Sequence, residues 1–181
     1  MKSLHFVIAI VYAVHLLALD VNVRGEDANV NSEGENKIEE LDVTQSYCFQ
    51  FSWMGPDYDN TTKFNKTCGE LLEEGRDKHI PCRQPLVISY DSSKPDLDHM
   101  WDNYKMRVAC KMSKGDVCAR YSYSFNDEIV NATYMCTKVF AVNEGAVTSG
   151  CYKQKVGSYE NEMCVCKSSP GDYLPCNAFR E

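Results

Sequence analysis

The 181-residue chain has little of what an enzyme, a nucleic-acid binder or a membrane span needs. Only four histidines occur, and His5 and His15 fall in the first 25 residues, which leaves His79 and His99. There is no Gly-x-Ser-x-Gly elbow, no HExxH helix and no phosphate-cradling glycine loop. The usual signatures of serine hydrolases, zinc peptidases and nucleotide phosphate enzymes are therefore missing. A basic excess is missing too: 19 Lys and Arg face 26 Asp and Glu, for a net charge of −7. That balance argues against a partner with a phosphate backbone. After residue 25 no apolar stretch approaches the roughly 18 residues a membrane helix needs. No internal repeat and no heptad pattern is visible.

What is present points to export. Residues 1–25 read as a signal peptide, with Lys2 near the start and an apolar run from Phe6 to Leu19. Cleavage after Gly25 would place Val23 and Gly25 at the small-residue positions; cleavage after Ala18 is the alternative. All ten cysteines follow that segment, and an even count in an exported chain reads as a disulfide framework. Three sequons, at Asn60, Asn65 and Asn131, are candidate glycosylation sites and predict solvent-facing loops. No lipid-anchor tail follows Asn177, so the product is expected to be secreted, without a membrane anchor of its own.

Residues 26–46 hold seven acids against Lys37 and contain no cysteine and no aromatic residue. Such a segment cannot bury enough surface to offset ordering entropy, and it reads as a disordered acidic leader. A docking tail or a pro-segment is the other reading. The domain proper is expected over residues 47–177, with 178–181 as a tail.

Tyr47–Trp53 partly alternates apolar and polar residues and predicts a strand, broken by Gly55-Pro56-Asp57. Cys68–His79 predicts a short helix weakened or ended at Gly75. Pro85–Tyr90 predicts a buried strand, and 91–103 a turn followed by a helical turn with Pro95 at its start. Tyr104, Met106, Val108 and Cys110 share one face of an expected half-buried strand. Cys118–Phe125 and Ala132–Val142 then predict a long hairpin with Asn131 near its tip, and Gly150–Lys167 a second hairpin turning at Val156-Gly157-Ser158. The fold class is mostly β: a small disulfide-rich antiparallel sheet with a short helical insertion.

Spacing alone suggests local bridges Cys151–Cys164, Cys166–Cys176 and Cys68–Cys82, and leaves the remaining pairs open. Laid out in order, Cys48, Cys68, Cys82, Cys110, Cys118, Cys136, Cys151, Cys164, Cys166 and Cys176-Asn177 resemble the three-finger superfamily of lymphocyte-antigen and urokinase-receptor modules, Quiver and Sleepless proteins included. GCYKQKVGSYENEMCVC and the closing Cys-Asn carry most of the likeness, which spans residues 47–177. The resemblance implies the pairs Cys48–Cys118, Cys68–Cys82, Cys110–Cys136, Cys151–Cys164 and Cys166–Cys176. It makes 118–136 the middle finger and 151–164 the third. This chain departs from the family in its long Cys48–Cys68 and Cys82–Cys110 intervals, its longer last loop and its missing anchor. Another small disulfide-rich ectodomain, of the growth-factor-receptor type that shares the Cys-Asn ending, is the alternative.

Three functions fit these residues. The first is a non-enzymatic binding module without cofactor or metal, engaging an extracellular or membrane protein such as a receptor or channel subunit, as the resemblance implies. Its candidate contacts are Asn126, Asp127, Glu128 and Ile129 at the middle-finger tip, and Lys155, Val156 and Ser158 at the third. The second is a small hydrolase centred on His99, which lies between Asp96, Asp98 and Asp102 and could act as an oriented base. The third is a carrier of a small apolar ligand, which would need a cavity larger than a stapled sheet normally leaves. Tyr121, Tyr123, Tyr134 and Phe140 are expected either to pack or to form a contact face. Cys164-Val165-Cys166 reads as disulfide-bonded rather than as a metal or redox pair in an oxidising compartment.

Overall fold

The computed structural model describes residues 40–56, 66–73, 80–89, 91–141 and 145–179, and the account below is confined to them. The signal peptide, residues 26–39 of the acidic segment, Asn60, Asn65, Gly75 and His79 lie outside that set. The protein is mostly β, with two short helices, several sheets and five disulfides.

Twelve elements run in this order among the described residues: β1 (Tyr47–Phe49), β2 (Phe51–Trp53), α1 (Cys68–Glu73), β3 (Leu86–Val87), α2 (Leu97–Val108), β4 (Ala109–Lys111), β5 (Val117–Phe125), β6 (Glu128–Thr137), β7 (Val139–Ala141), β8 (Gly145–Val147), β9 (Gly150–Val156) and β10 (Tyr159–Cys166). The main sheet has six strands in the order β3-β2-β6-β5-β10-β9. All neighbours in it are antiparallel except β2 and β3, which run parallel. Small two-stranded sheets, β1-β4 and β7-β8, flank it.

The expected strand over Tyr47–Trp53 is split. At Gln50 the chain leaves one sheet for the next, and its N–H bonds Val108 O at 2.6 Å instead of a strand partner. Phe49, Phe51 and Trp53 keep the same side throughout and form one core with Val108, Ala132 and Tyr134. Phe51 stacks on Tyr134 at 4.4 Å, and Phe49 meets Trp101 edge-on at 5.1 Å. Truncating either buried phenylalanine to alanine would cost about 3–5 kcal/mol. A second core, Val117, Ala119, Met135 and Val165, lies on the sheet's opposite face. The long middle strands therefore carry apolar residues on both faces at their base.

The strand expected over Tyr104–Cys110 is instead mostly the second half of α2, which follows a kink at Tyr104 (φ −134°, ψ 16°). Asp96 caps that helix, its carboxylate accepting from the His99 N–H at 3.0 Å, so Pro95 sits just outside. Leu97, Met100, Trp101 and Val108 pack against the first core, whereas Tyr104 and Met106 are exposed. The helical face set at Leu97 outweighs the two-residue alternation further on, and β4 begins only at Ala109. Of the strand expected over Pro85–Tyr90, the described residues 85–89 form only Leu86–Val87, half-buried at the sheet's edge, and Tyr90 lies outside the described set. The hairpin's return strand ends at Thr137, and Val139–Ala141 belongs to a separate sheet.

The structure joins Cys48 to Cys118, Cys68 to Cys82, Cys110 to Cys136, Cys151 to Cys164 and Cys166 to Cys176. These are the five pairs implied by the three-finger likeness. Beside them Asn177 is fully buried and makes three bonds. Its Oδ1 accepts from Phe49 N at 2.9 Å, and its Nδ2 donates to Phe49 O and Ala119 O at 3.1 Å each. The residue after the last cysteine thus ties β1 to β5. Residues 40–46 of the acidic segment lead into β1 through a turn, in which the Gln45 N–H donates to Asp42 O.

Candidate functional site

The site is built from two tight turns brought side by side. Asn126 and Asp127 link β5 to β6 with φ of 50° and 66°, the left-handed pair that a two-residue hairpin of this twist requires and that Asn and Asp tolerate. Gly157 and Ser158 link β9 to β10, with glycine supplying the positive φ of 64° at the first position. Because β5 and β10 pair along their full length, the turns meet. The Asn126 N–H donates to Ser158 O at 3.0 Å, and Lys155 Nζ lies 3.5 Å from the Asp127 carboxylate.

On one face of these paired tips stand three rings. Phe125 lies opposite Tyr159 in the register, their centroids 4.9 Å apart, and Tyr159 stacks on Tyr123 at 5.4 Å and 18°. Phe125 is 40% exposed and Tyr159 46%, so the cluster is open at its outer end although each ring is held by another. The opposite face is ionic. Arg120 bonds Glu162 at 3.0 Å with both side chains largely buried, and Lys153 reaches Glu160 and Glu162 at 3.0 and 3.2 Å. Those two carboxylates hold the Lys153 ammonium above the ordinary lysine pKa, Glu160 foremost.

Of the candidate contacts, Asn126, Asp127, Glu128, Lys155 and Ser158 are exposed on the joined tips. Val156 closes β9 beside them. Ile129 departs from the expectation. An extra residue, Val130, bulges out of β6 between Ile129 and Asn131, which pair with Ser124 and Tyr123 respectively. The bulge turns Ile129 to the helix-covered face, where it packs on the first core. Gly55 makes room for it: a Cβ there would fall 1.7 Å from Val130 O. Phe125 and Tyr159 were missed. The alternation Tyr121-Tyr123-Phe125 was visible, but the register that sets Tyr159 against Phe125 was not.

The four aromatics expected either to pack or to form a contact face divide between the two. Tyr134 is buried on the helix-covered face, Tyr121 and Tyr123 are half-buried on the other, and Phe140 is 67% exposed on the separate β7 strand. His99 is exposed in the first turn of α2, and its ring Nδ1 lies 3.2 Å from the amide of Asn103. Among the described residues, a partly open pocket lined by Trp53, Leu97, Ala132 and Tyr134, with Lys94 and Arg120 also in its wall, measures about 250 Å³, under the roughly 300–1,000 Å³ of small-molecule sites. An open cleft of about 570 Å³ adjoins it over Ser122, Ser124, Glu160 and Glu162. No helix among the described residues is long and apolar enough to cross a membrane. Comparison with family models, with curated proteins and with solved structures finds no match for this chain.

Proposed function

We propose that this chain is a secreted, non-enzymatic binding module of the three-finger kind, which engages a membrane receptor or channel protein through the joined tips of its middle and third fingers. The observation that carries the reading is the pairing of two hairpin tips that together present Phe125 and Tyr159 to solvent beside a mixed set of charges. Exposed tyrosine and phenylalanine on a rigid frame are the side chains most often central to protein contacts, since each can bury about 150–250 Å². Five disulfides and an antiparallel register hold the rings before contact, which lowers the ordering cost of binding. The charged rim of Asp127, Glu128 and Lys155 supplies orientation more than affinity.

The test is a screen of cell-surface receptor and channel ectodomains with the tagged, secreted protein, followed by titration of any hit with variants. The Phe125→Ser, Tyr159→Ser double variant is expected to lose affinity by about tenfold or more. A variant that binds the same ectodomain undiminished would overturn the tip reading.

A further inference from the structure

The sequon at Asn131 does not lie in a loop. Asn131 sits inside β6, directly opposite Tyr123 and past the turn at Asn126-Asp127. The next residues, Ala132, Thr133 and Tyr134, pair with β5 on one side and with β2 on the other. Thr133, the hydroxyl residue that completes the sequon, is fully buried. Its Oγ1 donates to Pro81 O at 2.8 Å and lies 3.0 Å from Ser52 Oγ, which itself accepts from Arg83 N at 2.7 Å. Asn131 is half-buried, and its Oδ1 is enclosed without a hydrogen-bond partner among the described residues.

An enzyme that modifies this sequon has to reach the asparagine amide and read the hydroxyl two residues on. The hydroxyl is out of reach once β6 stands between β2 and β5, and the asparagine is then held half-buried within a paired strand. We propose that Asn131 is a folding-gated glycosylation site: sugar is added only to chains in which β6 has not yet joined the sheet, so that the exported protein is a mixture of two forms. In the step itself Asn131 Nδ2 forms a bond to the anomeric carbon of an oligosaccharide carried as a lipid diphosphate. The carbon–oxygen bond to phosphate breaks, the lipid diphosphate leaves with the electron pair, and the amide gives up one proton. Where the glycan is present it stands on the face that carries Tyr123, Tyr159 and Phe125, beside the proposed contact rings. The race is between transfer and closure of β6, and closure is locked by disulfides at both ends of the hairpin's base: Cys118 with Cys48, and Cys136 with Cys110.

This inference rests on the export assumed above but not on the tip contact. The full chain is synthesised in a secretory cell line with or without a brief pulse of membrane-permeant thiol reductant, which is then washed out. Site occupancy on the secreted protein is read by peptide mass spectrometry at Asn131, with Asn60 and Asn65 as internal references and Asn131→Gln as the control. Delaying disulfide closure, which takes seconds to hours, is expected to cut the fraction lacking the Asn131 glycan by about half or more. Occupancy at Asn131 that is complete, absent or unchanged under both conditions, with sugar at the other sequons, would overturn the gating alone. A chain kept inside the cell with no sugar at any sequon would overturn the export reading as well.

Discussion

The base and the tips of one sheet are held by different means. At the base, Cys48–Cys118 and the three hydrogen bonds of Asn177 tie β1 to β5 with every one of those residues fully buried, and Cys166–Cys176, half-buried, fastens the end of β10 beside them. At the tips the chain is fixed by backbone pairing, two well-chosen turns and rings stacked on one another in the open. The base spends its side chains on stability, and the tips leave theirs free for something else. The same strands serve both ends because a staple at one end keeps the register at the other. A one-residue slip would send Phe125 and Tyr159 to the opposite face.

Breaking the base should have the largest effect. Asn177→Ala leaves Phe49 N, Phe49 O and Ala119 O without their partner in an enclosed site. With about 1–3 kcal/mol for each of the three buried groups left unsatisfied, a loss of at least about 3 kcal/mol is expected from urea unfolding. A loss under about 1 kcal/mol would mean the clamp is redundant beside the disulfides. Gly55→Ala comes next. The backbone there has φ of 95°, and the added methyl would collide with Val130 O. The expected cost is about 2–4 kcal/mol, and the β6 bulge should shift, visible as altered amide resonances at Ile129 and Asn131. Unaltered resonances there would separate the glycine from the bulge.

The sequence made the base more legible than the tips. Cysteine spacing and the terminal Cys-Asn are local signs, and five pairs could be named from them with the help of a family likeness. The long hairpins were legible because Tyr121, Tyr123 and Phe125 alternate and because Asn-Asp and Gly-Ser mark turns. What escaped was set by tertiary contact. Tyr104, Met106 and Val108 alternate as a strand would, but the helix capped by Asp96, with Trp101 and Met100 on the core, resumes past a kink at Tyr104 and carries on to Val108. Ile129 faces inward because of a single bulged residue whose only local trace is a glycine about 75 positions earlier, a separation no window of sequence brings together. The ring cluster needed the β5–β10 register, which pairs residues of two different hairpins.

The tips should tolerate alteration at little cost to the fold. Phe125→Ser with Tyr159→Ser removes two partly exposed rings, neither of which belongs to the cores. The ring–ring contacts themselves contribute about 0.5–1.5 kcal/mol, so the unfolding midpoint should fall far less than for Asn177→Ala. If the tip variant proves as costly as the base variant, the rings are structural, and the contact face has to be sought on the ionic side of the sheet.

The smallest effect is expected away from both regions, in α1. There Thr67 gives its hydroxyl and its N–H to the Glu70 carboxylate, at 2.8 and 2.6 Å, and the Glu70 N–H bonds back to Thr67 Oγ1 at 3.3 Å. This is a reciprocal cap on a six-residue helix. The hydroxyl bond first, and the backbone bond second, hold Glu70 below the usual carboxylate pKa. A carboxyl group lowered on folding contributes stability that is complete above the ordinary carboxylate range and is lost as pH falls through its lowered folded value. Acid should therefore fray α1 at its start while the Asn177 clamp, which carries no titrating group, stays closed. Amide shifts of Thr67 and Glu70 followed by NMR should move at a pH below the ordinary glutamate range, with Phe49 and Ala119 unmoved. Glu70→Gln should abolish the movement at Thr67. If Thr67 still titrated in that variant, the cap would not be its cause, and one of the other carboxylates near the helix start would have to be found responsible.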